Sequence, residues 1–578
     1  MPTLGAYYGK LEQWIFEPKV ADSLFNDYIK RADVKVLYKY RITDVQLANG
    51  YIKNITLESS DGTKLGKSIA AKVFIDCTYE GDLMAKAGVS YIIGREDNKQ
   101  YGETYNGVQL MKGHQFPDGV DPYKIKGDST SGLLWGISPA ALSSDGTGDK
   151  LVQAYNYRIC LTDNPANKIE ITRPENYDST KYELLLRLFD AQPNKRKLNH
   201  YFIWSRMPNN KTDINNRGGF STDMIGMNHN YPEASYEERA EIIKAHKDYT
   251  QGLLYFYKTD PRVPQELRDE IQAWGYPKDE YTEDNHWSPQ LYIRESRRMT
   301  GDYVMTQAHC EGRETVTDGI GMAAYTMDSH NCQRLLVKKD GKYIVKNEGN
   351  VEIGGGLPYP ISYRSIIPKE EECKNLLVPV CLSASHIAYG SIRMEPVFMV
   401  LAQSAAIAAA EAINTGSVQT VDIKKVQALL HENPLLDDSF SEILIDDSEL
   451  DLSINNDWEV IKKQGGYGPT FLKSKVRNGS PVRFSPHMEH EGKYKVYTYY
   501  HMRKDISPAI TYSISNGIDS WTRVIHKDSV RIEGQTTGEW IELGTYNFQK
   551  SSMPYIEIST GDTSGAVIAD AVLFIPVK

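Results

Sequence analysis

The fold class follows from one segment, Ala71-Lys72-Val73-Phe74-Ile75-Asp76-Cys77-Thr78-Tyr79-Glu80-Gly81-Asp82-Leu83-Met84-Ala85-Lys86-Ala87. Residues 71–77 are almost continuously apolar, which is typical of a strand that is buried on both faces. Residues 82–87 have a helical pattern, and a tight turn around Gly81 separates the two elements. A buried strand, a tight turn and a helix in this order predict an α/β fold.

A second buried strand is predicted far along the chain, at Asn375-Leu376-Leu377-Val378-Pro379-Val380-Cys381-Leu382. The Ala-rich helix Pro396–Ile413 follows it, with Pro396 in the first turn, where a missing N–H leaves no helical hydrogen bond unmade. This helix contains Gln403 and Glu411 and is rich in small residues, unlike a lipid-facing span. We therefore expect no transmembrane helix.

The segment before residue 71 predicts a helix and an antiparallel meander. The helix is expected over Val20–Arg31. Alternating patterns predict strands at Val34–Tyr38, Ile42–Val45 and Tyr51–Leu57, and Asn49-Gly50 is a type I′ hairpin signal between the last two.

The pattern becomes irregular between about residues 96 and 340 and indicates an insertion of the substrate-binding type. Helices are predicted within it at Tyr182–Asp190, Tyr236–Tyr257 and Pro264–Trp274. Another helix, near Ile423–His431, leads to an acidic linker that runs from Asp437 to Ser448.

Short strands separated by turn residues replace the helical pattern beyond the linker. They are expected at Tyr494–Tyr500, Ala509–Ile514, Trp540–Gly544, Tyr555–Ile558 and Ala571–Ile575. This spacing predicts a β-sandwich of about 130 residues.

Composition excludes several classes of protein. A chain of 578 residues is too long for one small module. Its 66 Lys and Arg against 76 Asp and Glu give a net charge of -10, which argues against a nucleic-acid partner. The 6 Cys include no Cys-x-x-Cys pair, so neither a redox dithiol nor an iron–sulfur site is predicted. Residues 1–8 do not resemble a signal peptide.

Serial motifs indicate a family. They are Phe74–Gly88, Gly94–Glu96, Tyr101–Glu103, Gln153–Arg158, Pro208–Asp213, Tyr292–Gly301, Pro358–Arg364, Leu382–His386 and Ile392–Pro396. On these motifs the chain closely resembles a family of FAD-dependent oxidoreductases over roughly residues 5–415. Chains of this organisation are often labelled xanthan lyase. The C-terminal motifs are Trp458, Gly465-Gly466-Tyr467, Gly492-Lys493-Tyr494, Trp540, Leu543-Gly544 and Ala569-Asp570-Ala571-Val572, and they resemble a golvesin-type β-sandwich.

The resemblance implies an α/β fold, in which an FAD-binding Rossmann-like domain carries an α+β insertion, followed by an all-β sandwich. The expected boundaries are 1–95 and 341–420 for the two parts of the FAD-binding domain, 96–340 for the insertion, 421–447 for a helix and linker, and 448–578 for the sandwich. The flavin interpretation requires the Cys77 and Cys381 segments to share one sheet.

One departure from the family pattern concerns the phosphate anchor. The family fold implies an N-terminal strand, a Gly-rich turn and a helix that hold the FAD diphosphate. The nearest string, Gly319-Ile320-Gly321-Met322-Ala323-Ala324, fits G-x-G-x-x-A but follows no buried strand. We therefore expect the sequence to begin about 100 residues inside the family's usual start. The FAD domain would then be truncated and incomplete, and the localisation stays open.

The resemblance implies cofactor contacts at two places. Thr78, Glu80, Gly81 and Asp82 form the turn at the carboxyl end of a buried strand, where open α/β sheets bind ligands. The alternative for this turn is a plain connection with Asp82 as helix cap. The second place consists of Ser383, Ser385, Arg393, Glu395 and Pro396. The last three begin a helix, and the positive end of a helix suits the charge of a reduced flavin.

Three residues are candidates for catalysis. Arg294 and Arg298 are able to share a strand face and clamp a carboxylate or the flavin oxygens, and an internal Arg–Glu network is the alternative. His386 is a candidate for proton exchange with substrate, with a structural role as the alternative.

Zinc ligand types occur at His309-Cys310, His330 and Cys332, but their spacing matches no closed site, so no metal is predicted. The predicted function is that of an FAD-dependent oxidoreductase of unknown substrate, impaired by loss of the N-terminal anchor. The alternatives are a lyase that acts on an acidic polysaccharide, a carbohydrate-binding protein, or a truncated chain without activity. The expected partner is a small molecule or a carbohydrate, and the oligomeric state stays open.

Overall fold

The computed structural model describes residues 16–354, 358–432, 440, 442–450, 456–462, 466–467, 470–531, 538–550, 552–561 and 564–577. Gly465 and the linker residues Asp437–Ser439 lie outside these ranges. The chain divides into two compact units, which we call the mixed unit (Ile15–Gln427) and the sandwich unit (built around Ala428–Lys578).

The helices are α1 Pro18–Arg31, α2 Asp82–Lys86, α3 Asn98–Tyr101, α4 Glu183–Ala191, α5 Tyr236–Thr259, α6 Gln265–Gln272, α7 Gln307–Cys310, α8 His386–Ile392, α9 Glu395–Thr415 and α10 Ile423–Glu432. Every helix predicted from periodicity is present, with ends that differ by a few residues. The longest helix of the insertion, α5, begins with a capping box in which Ser235 and Glu238 bond each other's backbone N–H.

The strands of the mixed unit are β1 Tyr40–Ala48, β2 Tyr51–Ser59, β3 Lys67–Ile69, β4 Phe74–Ile75, β5 Tyr91–Ile92, β6 Tyr123–Ile125, β7 Asp128–Leu133, β8 Lys168–Glu170, β9 Phe202–Met207, β10 Lys211–Asn216, β11 Gly275–Pro277, β12 Arg298–Met299, β13 Gly319–Ala323, β14 Met327–Ser329, β15 Gln333–Lys339, β16 Lys342–Glu348, β17 Val351–Ile353, β18 Tyr359–Ser362 and β19 Leu376–Leu377. Most of them form antiparallel pairs. The mixed unit is therefore of the mixed α/β class.

The strand pair β4–β19 places the predicted cofactor turn. The two strands are parallel, with Phe74 opposite Leu376 and Ile75 opposite Leu377. Asn375, which precedes β19, adds hydrogen bonds beside this pair. Its side-chain amide donates to the carbonyls of Ile52 and Lys72. Each strand is shorter than predicted, but the Cys77 and Cys381 segments lie in one sheet, as the flavin interpretation requires. The Rossmann-like FAD-binding domain stays a prediction.

The N-terminal meander is confirmed except for its first strand. The β1–β2 hairpin turns at Asn49-Gly50, which both have the positive φ of a type I′ turn, 54° and 77°. The prediction of a strand at Val34–Tyr38 is wrong. This segment lies between Asp33 and Lys39, which both have positive φ, and Val34 is 57% exposed. No neighbouring strand pairs with it among the described residues, so alternation alone was not sufficient.

The string Gly319–Ala323 is the strand β13 and pairs with β18 in antiparallel register, so it does not form a phosphate loop. The helix α9 contacts β13 and β4. It is long and apolar enough to cross a membrane by length and composition alone, a test that core helices also pass. Its first turn contains Pro396, as predicted.

A large aromatic core fills the insertion. Its buried side chains come from α4, α5 and α6 and from the loops around them, and they include Tyr155, Tyr182, Tyr249 and Phe256. A smaller core lies under β4 and β19 and contains Phe74, Met84, Leu376 and Cys381.

The strands of the sandwich unit are β20 Ile443–Asp446, β21 Trp458–Lys462, β22 Thr470–Ser474, β23 Val482–Phe484, β24 Gly492–His501, β25 Ala509–Ser515, β26 Ser520–His526, β27 Gly538–Phe548, β28 Tyr555–Ser559, β29 Ile568–Ala569 and β30 Ala571–Pro576. They form sheets in the orders β20-β30-β24-β27, β23-β28-β25-β26 and β21-β22-β29. All five predicted strands are present, and the unit is all-β. Since β20 pairs with β30, Ile443–Asp446 belong to the sandwich.

Candidate functional site

The turn that follows β4 is held by its own hydrogen bonds. The buried carboxylate of Asp76 accepts from the backbone N–H of Thr78 at 3.0 Å and of Met84 at 3.0 Å. Gly81 N–H donates to Thr78 Oγ1 at 3.0 Å. Gly81 has φ 66°, and a Cβ there would lie 3.1 Å from Cys381 Sγ, so this position requires glycine. The backbone donors of the turn named here are therefore already used.

The two carboxylates of the same turn are also engaged. Asp82 accepts from Arg239 at 2.6 and 2.9 Å and from Arg297 at 2.8 Å. Burial opposes ionisation of Asp82, but the two guanidinium groups outweigh it and lower the pKa. Glu80 accepts from the Tyr231 hydroxyl at 3.0 Å, and burial raises its pKa. Asp82 is the first residue of α2, where Gly81 holds the cap position.

Ser383, Ser385 and His386 lie in the core around the start of α8. Ser385 caps this helix and donates to Glu103 Oε1 at 2.6 Å, and Ser383 Oγ accepts from Gly301 N–H at 3.2 Å. Both ring nitrogens of His386 are engaged, Nδ1 with Glu295 Oε2 at 2.8 Å and Nε2 with Ser329 Oγ at 3.0 Å. The full engagement of its ring favours the structural alternative for His386, and its role in catalysis stays untested.

Arg298 belongs to a set that we call the closed network: Arg298, Glu295, Glu96, His386 and Ser329. Its guanidinium donates to Glu295 at 2.7 Å, to Glu96 at 2.6 Å and to the carbonyls of Ala384 and Gly94. Burial opposes ionisation of Glu295, but His386 and Arg298 lower its pKa to about 2. All three guanidinium nitrogens have partners, so Arg298 forms an internal Arg–Glu network and no clamp with Arg294.

Arg294 belongs to a different set. Its Nη1 donates to the Ala154 carbonyl and lies 3.0 Å from Asp223 Oδ1. Its Nε and Nη2 are buried and have no hydrogen-bond partner within the described residues. Asp223 also binds His330, with 2.8 Å between Oδ2 and Nδ1. Arg294 is 2% exposed, and burial lowers its pKa, which the repulsion from Arg393 reinforces.

Arg393 reaches the same place from the loop before α9. Its Nη2 donates to the Asp328 carbonyl at 3.0 Å, and its Nη1 donates to the Tyr292 hydroxyl at 3.3 Å. Its Nε is buried without a partner in the described structure. The Tyr292 ring links the two arginines, since its centroid lies 5.1 Å from the Arg294 guanidinium carbon. The open cluster, as we call it, consists of Tyr292, Arg294, Arg393, Asp223, Asp328 and His330.

Glu395 and Pro396 begin α9 at the edge of this cluster. Glu395 Oε1 lies 3.5 Å from the Tyr79 hydroxyl, so the start of α9 is joined to the turn after β4. Pro396 is exposed. Two predicted residues far apart in sequence, Arg294 and Arg393, are thus brought together near a third, Glu395.

Sequence reasoning missed Asp223 and Asp328 and placed His330 only among zinc ligand types. No local pattern marks Asp223, since a loop carries it to Arg294 through tertiary packing. The pair His330 and Asp328 alternates around Ser329 at the end of β14, a period that puts both side chains on one face. That alternation was the available signal.

Two of the residues of zinc-ligand type, His309 and His330, lie in different places. His309 bonds the Tyr303 hydroxyl at 2.7 Å, whereas His330 belongs to the open cluster. Glu17, Asp279 and Glu280 have oxygens within 4.8 Å of one another, but Lys211 Nζ lies among them, 2.6 Å from Glu17 and 2.5 Å from Glu280. The ammonium groups of Lys211 and Lys19 thus offset part of the negative charge of that group.

The acidic side chains Asp446, Asp447 and Asp570 also lie within 4.8 Å of one another, in the sandwich unit. Burial raises the pKa of Asp447 to about 7. A buried carboxyl group beside other carboxyl groups favours its protonated form.

The donor set fits one end of FAD. A flavin ring presents carbonyl oxygens and ring nitrogens, which accept hydrogen bonds from buried donors such as Arg393 Nε. For the diphosphate end, the N–H groups of Thr78 and Gly81 are used inside the turn after β4, and Gly319–Ala323 is a strand. The described residues therefore suit the ring of FAD and include no Gly-rich cradle for its diphosphate.

The model of the family "FAD dependent oxidoreductase" matches residues 4–430, and that of the Golvesin C-terminal domain matches residues 443–576. A search of curated proteins found no match.

The solved structures give short matches. A xanthan lyase from Paenibacillus is 22% identical over 24% of this chain and 13% of its own, with a TM-score of 0.21. An exo-beta-1,3-galactanase from Phanerochaete chrysosporium is 14% identical over 23% of this chain and 29% of its own, with a TM-score of 0.18. A mannanase from Podospora anserina is 10% identical over 24% of this chain and 28% of its own, with a TM-score of 0.18. The chain thus spans only a small part of these proteins, and the TM-scores carry no argument about fold or function.

Proposed function

The chain belongs to the FAD-dependent oxidoreductase family, and we propose that it oxidises or reduces a small molecule beside the open cluster. The observation that carries the proposal is the meeting of Arg294 and Arg393, whose buried N–H donors lack partners in the described structure, at the start of α9. Buried unsatisfied donors are rare in folded proteins and call for a ligand or water. The lyase alternative has no comparable support in the described residues.

The flavin-facing side of the proposed site consists of Arg393, Glu395 and Tyr79. Arg393 Nε would donate to an acceptor on the ring, and the first turn of α9 would add the positive end of a helix dipole. When bound, FAD supplies a two-electron acceptor. We also place the β4–β19 pair in a Rossmann-like FAD-binding domain, which its parallel pairing supports.

The proton that a substrate loses on oxidation requires an acceptor, and we assign that role to His330 Nε2. Its Nδ1 is held by Asp223, so Nε2 remains for exchange. Burial lowers the pKa of His330 and so does Arg294, which keeps the ring neutral and able to accept a proton at neutral pH. Burial opposes ionisation of Asp223, but Arg294 and His330 lower its pKa to about 2, so Asp223 stays ionised and fixes the tautomer.

The proposed affinity for FAD is low. Diphosphate anchoring depends on backbone N–H groups and a helix end; the N–H of Gly81 is used inside its turn, and Gly319–Ala323 is a strand, so neither supplies such an anchor. We therefore expect the purified chain to lose FAD on dialysis and to bind it again when FAD is added.

The test is a titration of the dialysed protein with FAD, followed by flavin fluorescence and by the visible spectrum. We expect saturable binding, and we expect Arg393→Met to weaken it about tenfold through loss of a charged donor. The matched control is Arg364→Met, which removes a half-exposed guanidinium paired with Asp318. No saturable binding by the wild-type chain, or equal affinity of the wild-type and Arg393→Met proteins, would contradict the proposal.

A further inference from the structure

The guanidinium of Arg294 presents an unoccupied edge. Its Nη1 is engaged by Ala154 and Asp223, whereas Nε and Nη2, which form the side-on edge of the group, are buried and without a partner in the described ranges. Buried donors that lack an acceptor destabilise a folded protein. The edge is therefore a place where a matching acceptor would be stabilising.

Other arginines of this chain show which acceptor that edge takes. Arg364 donates from Nε and Nη2 to the two oxygens of Asp318, at 3.0 and 3.2 Å. Arg262 does the same to Asp260, at 3.0 and 2.8 Å. Arg95 binds Asp149 through the same two nitrogens. In each case a planar carboxylate lies along the edge, which is the bidentate geometry that a guanidinium prefers.

Other charged groups surround Arg294. Burial lowers the pKa of Arg294, and repulsion from the buried Arg393 adds to this, whereas Asp223 opposes it. Asp223 lies 3.0 Å from Arg294 Nη1 and bonds His330, and the Asp328 carboxylate lies 3.4 Å from Arg393 Nη2. A carboxylate on the edge of Arg294 would supply acceptors for its two unpaired donors and offset the repulsion from Arg393.

The side chains around Arg294 are partly exposed. Tyr292 is half-buried, and the side chains of His330 and Asp328 are 12% and 15% exposed. Arg294 and His330 both contact Asp223, so we expect binding at Arg294 to perturb the His330 ring.

We propose that the Nε–Nη2 edge of Arg294 is the recognition site for a carboxylate group on the substrate. The inference rests on the proposed function, because it takes the bound molecule to be the substrate. It deepens that function by naming the class of molecule, a small carboxylic acid. Binding of the carboxylate needs no FAD, so the two proposals are tested separately.

The first experiment uses the wild-type chain without FAD and two probes of similar size, D-glucuronate and D-glucose. We expect glucuronate to bind and to shift the His330 ring resonances in NMR, and we expect glucose at the same concentration to leave them unchanged. A second pair, lactate and 1,2-propanediol, repeats the comparison on a smaller frame. Equal shifts by the acid and neutral members of both pairs, or no shift with either acid, would overturn the inference.

The second experiment uses Arg294→Lys, which keeps a positive charge beside Asp223 but removes the side-on edge. We expect the affinity for the carboxylate that the wild type binds to fall about tenfold or more, since a lysine cannot bind a carboxylate bidentately. Arg364→Lys is the matched control and should bind as the wild type does. Circular dichroism of each variant checks that it is folded, and the comparison of probe pairs on the wild type stands if Arg294→Lys is not.

FAD titration of the same proteins separates the two proposals. A chain that binds the carboxylate through Arg294 but never binds FAD would refute the oxidoreductase proposal and leave the carboxylate site intact. A chain that binds FAD but gives equal carboxylate affinity in the wild-type and Arg294→Lys proteins would do the reverse.

Discussion

Arg294 and Arg298 lie four positions apart on one segment, and their surroundings differ in a way that separates structure from function. In the closed network every guanidinium nitrogen of Arg298 has an acceptor, and the carboxylates of Glu96 and Glu295 both pair with it. In the open cluster two donors of Arg294 have none within the described residues. Two equally buried arginines therefore need not have the same role. A guanidinium whose donors all have acceptors is typical of a structural ion pair, and one with unpaired donors marks a place for a ligand.

The largest expected effect breaks the closed network. Arg298→Met should lower the free energy of unfolding of the mixed unit by about 3–5 kcal/mol, because it leaves two buried carboxylates without their cation. Arg294→Met should cost only about 1–2 kcal/mol, since it also removes two unsatisfied donors. Urea unfolding of both variants measures the difference. Equal losses would mean that the two arginines are structurally equivalent.

Asp447 extends the comparison, because its carboxyl group is buried and has no guanidinium partner in the described structure. Burial raises the pKa of Asp447 to about 7 in the sandwich unit. Its pKa is higher folded than unfolded, so the folded state binds more protons and its stability falls as pH rises from about 4 to 7. Asp447→Asn should therefore remove about 1–2 kcal/mol of that pH dependence. Thermal unfolding at pH 5 and pH 8, without divalent cations, is the measurement, and an unchanged pH profile would contradict the assignment.

A smaller effect tests whether His386 belongs to the closed network. Ser329→Ala removes the hydroxyl that lies 3.0 Å from His386 Nε2. The expected loss is about 1 kcal/mol of unfolding free energy, as for one buried hydrogen bond. Affinity for FAD and for carboxylate probes should remain as in the wild type. A large change in either affinity with little loss of stability would move His386 into the functional site.

The smallest expected effect concerns the charge that Arg294 places on its neighbour. In Arg294→Met the pKa of His330 should rise, because a cation that opposes protonation is removed. NMR titration of the His330 ring follows it, and the exposed His487 ring is the internal reference. A fall of the His330 pKa, or no change, would show that Arg294 does not act on this ring.

Local sequence determined much of the fold. Asn49-Gly50 fixed a hairpin, Ser235 and Glu238 fixed the start of α5, and alternation located the strands of the sandwich unit. Each of these depends on neighbours a few residues away. Val34–Tyr38 alternates as a strand does and forms none, since pairing needs a partner that alternation does not supply.

The candidate site was predictable only in part, for the same reason. Arg294 and Arg393 were predicted from the sequence as site residues. Which of Arg294 and Arg298 would have all its nitrogens paired depends on the carboxylates that fold against each of them. Glu96, Asp223 and Asp328 come from distant loops and strands. No spacing rule connects such positions.

The pairing of β4 with β19 also governs how the chain matures during synthesis. Lys72 and Asn375, which are bonded at this junction, lie 303 positions apart. At roughly 5–20 residues per second, the first strand leaves the ribosome about 15–60 s before its partner exists. For that time the apolar strand β4 lacks its native strand partner, β19. The yield of intact protein in a cell should therefore depend on chaperones and on translation speed.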